Sequence, residues 1–364
     1  MTNRGVGVVL ALCTFQLACG DNIRFGGPDG GDPSDGSSED GAPSDAMVDA
    51  MTAGAPTVIS TTPIPGATTA SINTRARATF SEPMDPASIT ALTFLVKRGS
   101  VAVPGAVSYD ATTNTATFRP TTRLALNTTY TATITTGAHD RDGTAMLAAH
   151  VWMFLTDDCS QAAINLRSAA NYAVLAGPTV TNTGPTIVTG HLGTSPGNSI
   201  TGFPPGIVMG TKNLGNAAAG SALGSLTTAY NEAALRVVCP IAVSGNLGGM
   251  TLTPGLYKAP GQLGVTSGDL VLDARGDGDA VFVFQMATRF DTSSGRRIEL
   301  INGARAENVF WQVGSSAAFG TGSVVQGTVM ADQSITVATG ATVNGRVLAR
   351  IAAVTLDGST ITRP

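Results

Sequence analysis

The chain has 364 residues, enough for two or three domains that each have a core. Charged residues make up 13% of it and aromatic residues 5%, while glycine occurs 44 times, which is typical of small-residue β structure with many tight turns. The formal net charge is −4, and the acidic residues concentrate between positions 20 and 56, so the rest is almost neutral. The absence of a basic stripe argues against nucleic acid as a partner.

The first 19 residues are predicted to be an export signal. Arg4 supplies the positive charge, an apolar run covers residues 6–15, and Leu17-Ala18-Cys19 follows. The run is too short to remain as a membrane-spanning helix. Leu17-Ala18-Cys19 resembles a bacterial lipobox, in which cleavage leaves a lipid-modified cysteine. We therefore expect an exported protein: a cell-surface or outer-membrane lipoprotein anchored through Cys19, or a secreted protein in which Cys19 is incidental.

Residues 20–56 are predicted to be a disordered acidic linker. They contain Gly, Pro, Ser and Asp and almost no large apolar side chain, so they cannot bury enough surface to offset the entropy of ordering.

Cysteine usage agrees with export. Cys13 lies in the signal, so beyond Cys19 only Cys159 and Cys239 remain. In an oxidising compartment this pair favours a disulfide, which would contribute about 4.5 kcal/mol in the chain-entropy model. Two buried free thiols are the alternative.

Residues 57–157 predict a small antiparallel β-sandwich. Short β-rich runs separated by turn residues occur at 58–60, 77–80, 93–97, 106–109, 115–119, 129–135 and 150–155. The run Phe80-Ser81-Glu82-Pro83-Met84-Asp85-Pro86 resembles the signature of a bacterial Ig-like domain. This resemblance implies a spacer or an adhesive unit.

Residues 159–364 predict a β-solenoid interrupted by one helix. Strand-like runs at 172–177, 179–184 and 187–193 precede an Ala- and Leu-rich stretch, 213–236, with helical spacing. Later, Ser316 and Ser334 begin two segments of the same layout about 18 residues apart, a solenoid period. Alternation then places the following side chains in the interior: Phe290, Phe319, Val337 and Leu356.

Several motifs of this last region resemble, in the same order, those of the microbial ice-binding protein family with a discontinuous β-solenoid. They include Thr181-Asn182-Thr183-Gly184, Gly190-His191-Leu192-Gly193-Thr194-Ser195-Pro196-Gly197, Leu252-Thr253-Pro254-Gly255-Leu256-Tyr257, Asn308-Val309-Phe310-Trp311-Gln312-Val313-Gly314 and Thr342-Val343-Asn344-Gly345-Arg346. The resemblance implies a mainly β fold, a right-handed three-faced solenoid with a long helix alongside. It also implies a break in stacking order, in which the N-terminal turn lies beside the C-terminal turns.

The resemblance implies that the ligand is the surface of an ice crystal. Threonine suits a regular β face that contacts ice, because its χ1 is stiff, its methyl is apolar and its hydroxyl binds ordered water. The candidate contacts are Thr181, Thr183, Thr292, Thr321, Thr336, Thr339 and Thr355. Of these, Thr292, Thr321 and Thr339 share the parity of inward residues and reach solvent only if the chain already turns there.

A second face is the alternative ice-binding site. It would carry Glu299, Gln326, Thr328, Asn344 and Arg346, and its charges make it the less favoured face. A different function on the same scaffold, a surface adhesin or carbohydrate-binding module, would need exposed aromatic side chains. Phe310 and Trp311 alternate, so we expect one of them to point outward.

The sequence argues against an enzyme. His139, His150 and His191 are scattered without metal-ligand spacing, and Asp291 and Asp357, expected in one outer column, have only Arg289 as a nearby base. We expect no cofactor, no metal and no catalytic residue. A monomer is expected, with membrane contact only through the lipid anchor.

Overall fold

The structure is a computed structural model that describes residues 54–364. The predicted signal peptide, the lipidation of Cys19 and nearly all of the predicted acidic linker lie outside the described residues.

The Ig-like part is a sandwich of two sheets. Its strands are β1 (Val58–Thr62), β2 (Ala67–Ala70), β3 (Ala76–Phe80), β4 (Phe94–Arg98), β5 (Val101–Ala102), β6 (Gly105–Asp110), β7 (Thr115–Pro120), β8 (Thr129–Ile134) and β9 (His150–Thr156). One sheet has the order β1-β3-β7-β6 and the other β2-β9-β8-β4-β5. All pairs are antiparallel except β2 with β9. The seven predicted strands are confirmed, and the core between the sheets holds Phe94 against Phe118 and Trp152.

The remaining strands build the solenoid. They are β10 (Tyr172–Ala176), β11 (Thr179–Thr183), β12 (Ile187–Thr189), β13 (His191–Thr194), β14 (Ser199–Thr201), β15 (Ile207–Met209), β16 (Lys212–Leu214), β17 (Pro240–Ala242), β18 (Gly245–Asn246), β19 (Thr251–Leu252), β20 (Gly255–Ala259), β21 (Leu263–Val265), β22 (Leu270–Asp273), β23 (Phe282–Met286), β24 (Phe290–Thr292), β25 (Ile298–Ile301), β26 (Val309–Val313), β27 (Ala317–Phe319), β28 (Val324–Ala331), β29 (Ile335–Val337), β30 (Thr342–Ala349), β31 (Val354–Asp357) and β32 (Thr360–Thr362).

These strands form three faces, and within each face the strands are parallel. The chain passes through the faces in the order A, B, C. Face A contains β16, β13, β10, the second halves of β30 and β28, then β26, β23, β20 and β17. Face B is the sheet β14-β11-β31-β29-β27-β24-β21-β18. Face C runs from β15 through β12, β32 and the first halves of β30 and β28 to β25, β22 and β19. The predicted three-faced solenoid is confirmed.

The stacking order is discontinuous, as the resemblance implied. On face B, β11 pairs with β14 on one side and with the C-terminal strand β31 on the other. The first turn of the solenoid therefore lies between the second turn and the last one. The two ends of the domain sequence meet in one continuous sheet.

A helix covers face A, where the sequence predicts one. Helix α1 (Ala217–Ala234) begins after Asn216, whose side chain accepts a hydrogen bond from the backbone N–H of Ala219. Its buried side is mostly alanine, so the helix axis lies close to the sheet. At its C-terminal end, where regular intrahelical partners run out, Nε2 of the buried Gln285 donates to the carbonyl of Ala233. No helix in the described part is long and apolar enough to cross a membrane.

A disulfide joins Cys159 to Cys239, with the two Cα atoms 5.4 Å apart. Cys159 lies in the segment between the Ig-like part and the solenoid, and Cys239 immediately precedes β17. The bond therefore ties the connecting segment to the chain that follows the helix.

Glycines turn the corner between faces B and C at the same point of successive turns. Gly184, Gly358, Gly340 and Gly322 have φ values of 77°, 47°, 70° and 66°. Side chains with a Cβ rarely adopt this left-handed conformation, so glycine lets the chain leave face B sharply.

The interior of the solenoid is close-packed around Trp311. Its ring stacks on Phe284 at 4.0 Å and on Phe290 at 4.3 Å between ring centroids, and Nε1 donates to the carbonyl of Gln326 at 2.8 Å. The four side chains expected in the interior, Phe290, Phe319, Val337 and Leu356, are all buried.

Truncating this residue tests the packing. Trp311→Ala should lower the free energy of unfolding by about 3–5 kcal/mol, because it leaves a cavity and an unpaired carbonyl. Ile351→Ala, at a side chain that is 57% exposed, is the matched control and should cost little. Denaturant titrations of both variants measure the difference; similar losses would contradict this packing.

Candidate functional site

Face B carries a straight row of small outward side chains. Strand register places Thr201 beside Thr181, Thr181 beside Thr355, Thr355 beside Thr336 and Thr336 beside Ala318. The four threonines are exposed. Adjacent strands lie about 4.8 Å apart, so this central row extends about 19 Å over five strands.

A second row runs parallel to it, two residues earlier on each strand. It consists of the half-buried residues Ser199, Thr179, Ala353, Ser334 and Ser316. The hydroxyls of Ser316 and Ser334 are hydrogen-bonded at 3.1 Å, which holds neighbouring turns in register. The two rows together define the hydroxyl patch, ten small residues of which none is charged.

The hydroxyl patch ends at β24. The next residue in the central row after Ala318 is Asp291, which forms an ion pair with Arg289 at 3.0 Å. Charged groups hold water strongly, so the uncharged lattice is limited to the five strands on the side of the N-terminal turns.

A third row follows the corner between faces B and C. Its centre is Asp357, which accepts a hydrogen bond from the hydroxyl of Thr183 at 2.9 Å and one from the hydroxyl of Thr339. Thr321 lies at the same corner one turn further on. The hydrogen bond from Thr339 and then that from Thr183 lower the pKa of Asp357 below its ordinary value. The carboxylate thus connects three stacked turns, including the junction between β11 and β31.

Six of the seven predicted ice contacts lie on this surface. Thr181, Thr336 and Thr355 occupy the central row, while Thr183, Thr321 and Thr339 are exposed at the corner. Their contact with ice stays a prediction.

Thr292 is wrongly placed by the sequence prediction. It is 6% exposed, lies in β24 between Val265 and Phe319, and its hydroxyl accepts a hydrogen bond from the backbone N–H of Gly320 at 3.1 Å. The chain turns only after Thr292, so the side chain keeps the inward parity of its strand.

Sequence reasoning did not select Thr179, Thr201, Ser199, Ser316 and Ser334. Thr179 shares strand parity with Thr181, and Ser316 and Ser334 begin the repeated segments. The sequence therefore held a signal for these three residues. Ser199 and Thr201 belong to a short strand that follows a turn rich in Gly and Pro, where periodicity gives no indication.

The alternative face differs from its prediction. Thr328 and Arg346 are buried, because β28 and β30 each cross from face C to face A, and these residues fall on the second half. Burial lowers the pKa of Arg346 to about 10, and its Nε donates to the carbonyl of Ala170. The described face C carries bulkier outward residues than face B: Ile207, Met209, Ile187, Thr189, Thr360, Thr362, Thr342, Asn344, Val324 and Gln326.

One of the two aromatic side chains points outward, as alternation predicts, but it is not exposed to solvent. Trp311 lies in the solenoid interior, and Phe310 points to the outer side of face A, where α1 buries it. A covering helix cannot be deduced from strand alternation alone.

The described residues bring no acid–base cluster together on these faces. Asp291 is in register with Ala318 and hence with Thr355, so the expectation that it shares a column with Asp357 is wrong. Nδ1 of His191 accepts a hydrogen bond from the backbone N–H of Thr211 at 3.0 Å, and its ring packs on Tyr172.

Comparison with known proteins decides the family. The sequence profile of the family described as ice-binding-like matches residues 174–362, more than half of the chain. The chain belongs to this family. A bacterial Ig-like domain profile matches residues 52–156. The relatives described below are named as ice-binding proteins.

The similarity extends to characterised relatives and solved structures. An ice-binding protein of Nostoc sp. (strain HG1) is 45% identical over 172 residues, which cover 47% of this chain and 63% of that protein. The crystal structure of an ice binding protein from an Antarctic biological consortium shares 54% identity with a TM-score of 0.55, covering 56% of this chain and 92% of that one. The ice-binding protein of Antarctomyces psychrotrophicus shares 40% identity with a TM-score of 0.53, covering 56% of this chain and 99% of that one.

The Asp357 network predicts a pH dependence. Because the folded-state pKa lies below the ordinary 3.8, the carboxylate stabilises the fold fully above about pH 3.8, and this contribution is lost as pH falls through the folded-state pKa. The wild-type chain should therefore be more stable than Asp357→Asn at neutral pH, and the difference should shrink in acid. Denaturant titrations at pH 7 and at pH 3 and below, with Glu307→Gln as an exposed control, measure it; a difference that does not change with pH would contradict the network.

Proposed function

We propose that this protein adsorbs to ice through the hydroxyl patch of face B and so inhibits ice growth or recrystallisation, or holds the cell on ice. The single observation that carries the proposal is the regular, uncharged double row of Thr, Ser and Ala over five hydrogen-bonded strands. Family membership and the ice-binding relatives support the ligand.

The mechanism follows from the rigidity of the lattice. One methyl group buried against ice contributes only about 0.8 kcal/mol, so several must act together. The parallel ladders fix the positions of the side chains before contact, and little conformational entropy is left to lose on docking. Hydroxyls such as those of Thr181 and Thr355, 3.4 Å apart, provide groups that can hydrogen-bond water in an ordered layer.

Face B is favoured over face C by the regularity of its side chains. The hydroxyl patch contains only Thr, Ser and Ala, whereas the outward rows of face C mix these with Ile, Met, Val, Asn and Gln of different lengths. A surface of uneven height meets a crystal plane at fewer points. The corner residues Thr183, Thr339 and Thr321 extend the hydroxyl patch toward face C.

A binding role is favoured over a catalytic one. The three histidines lie apart, two in the Ig-like part and His191 within the solenoid, where it accepts a backbone hydrogen bond. The adhesin or carbohydrate-binding alternative lacks the aromatic platform it needs on the described outward rows of faces B and C.

The cellular setting is part of the proposal. The signal sequence, Leu17-Ala18-Cys19 and the acidic segment 20–56 support an exported chain tethered by a lipid at Cys19. In that setting the tether would hold a monomeric ice-binding solenoid outside the cell.

A bulky side chain in the central row tests both function and face. Thr336→Tyr should abolish most of the thermal hysteresis and ice adsorption, because its ring stands above the plane of the row. Thr342→Tyr, one strand later on face C, is the matched control and should leave both nearly unchanged. Circular dichroism should show the same fold in both variants.

The outcomes separate the site from the function. Loss of activity in Thr342→Tyr with retention in Thr336→Tyr would keep the function and move the site to face C. A folded wild-type chain that does not adsorb to ice would refute the proposed function.

A further inference from the structure

One turn of the solenoid contacts the Ig-like part. Residues 274–281 connect β22 on face C to β23 on face A, so they lie on the edge of the three-sided solenoid that is opposite face B. Along the solenoid axis they lie toward the β18 end of face B, whereas the hydroxyl patch lies toward the β14 end.

Asp277 in this turn binds a loop of the Ig-like part. Its Oδ2 accepts hydrogen bonds from the backbone N–H of Ser71 and from the hydroxyl of Thr74, both at 2.8 Å. Ser71 and Thr74 are 3% and 1% exposed, and Asp277 is half-buried, so these bonds are partly buried.

Asp279 adds a buried charge paired with two arginines. Its Oδ2 accepts from the backbone N–H of Arg75 at 2.9 Å and lies 3.3 Å from the guanidinium of Arg77, while Oδ1 lies 3.5 Å from Nε of Arg75. The side chain of Asp279 is 5% exposed. Removing the carboxylate would leave Arg75 and Arg77 without their opposite charge, which is costly when a pair is desolvated.

The connecting segment completes the joint. The hydroxyl of Ser160 accepts from the backbone N–H of Ile72 at 3.0 Å, and the side-chain amide of Asn73 donates to the carbonyl of Gln161 at 2.7 Å. Gln161 in turn donates to the carbonyl of Val238 at 3.1 Å, beside the disulfide. A segment bonded on both sides cannot act as a free hinge.

We propose that the Ig-like domain and the solenoid form one rigid unit, fixed by Asp277 and Asp279, rather than two domains joined by a flexible hinge. The Ig-like domain contacts the solenoid at the edge opposite face B, away from the hydroxyl patch. Face B is therefore directed away from the Ig-like domain. That the presented face meets ice rests on the proposed function; the rigidity of the joint does not.

Residual dipolar couplings of the full chain test the joint directly. In the wild-type chain, couplings from the Ig-like domain and from the solenoid should fit one alignment tensor. In Asp277→Ala/Asp279→Ala they should require two tensors, with the chemical shifts inside each domain unchanged. Asp142→Ala/Glu299→Ala, which removes two exposed acids that make no contact with the joint, is the matched control and should keep one tensor.

A second variant guards against local misfolding of the turn. Arg75→Gln/Arg77→Gln removes the charges that pair with Asp279 from the Ig-like side. Its couplings should also require two alignment tensors. Two tensors in the wild-type chain, or one tensor in the Asp277/Asp279 variant, would overturn the proposal. Thermal hysteresis measured on the same samples should be equal in wild type and joint variants, and its absence in all of them would refute the proposed function while leaving the joint intact.

Discussion

The parallel hydrogen-bond ladder between successive turns is the constraint on which the rest of this molecule depends. It sets the spacing between strands, and the two-residue alternation within each strand then determines every outward position. A row such as Thr181, Thr355 and Thr336 is therefore a consequence of backbone pairing, although its members come from distant parts of the sequence. Small side chains on such a frame have nearly fixed positions before any ligand arrives.

The discontinuous order of stacking lengthens this row. Without the insertion of the first turn beside the last, Thr355 would lie at a sheet edge and Thr181 would begin a separate stack. Asp357 binds across that junction to Thr183 and, on the other side, to Thr339. A charged residue at the border of an otherwise uncharged surface thus has a structural reason, since its two oxygens accept the hydroxyls that define the corner.

Much of the fold follows from the sequence, because period and parity are local properties. The inward side chains, the helix and the strands of the Ig-like domain were predictable in this way, and the stacking break followed from the family resemblance. The register was not, since Phe290 pairs with Ala317 and so lies outside the column of Phe319, Val337 and Leu356. Two kinds of error came from non-local effects. Strand alternation does not reveal where a chain turns a corner, which misplaced Thr292 and Arg346, nor which face another element covers, which is why the outward Phe310 is buried. The members of the hydroxyl patch on β14 depend on pairing with β11 and carry no periodic signal.

The most direct measurement is the adsorption of the fluorescently labelled full chain to a single growing ice crystal. A rigid lattice that matches one spacing should bind to particular crystal planes, so we predict a discrete pattern of fluorescence that persists when the crystal grows slowly. The pattern should disappear with a bulky substitution at Thr355 and persist with the same substitution at Thr360. A folded chain that is excluded from the ice, or that enters it without preference for any plane, would contradict the account.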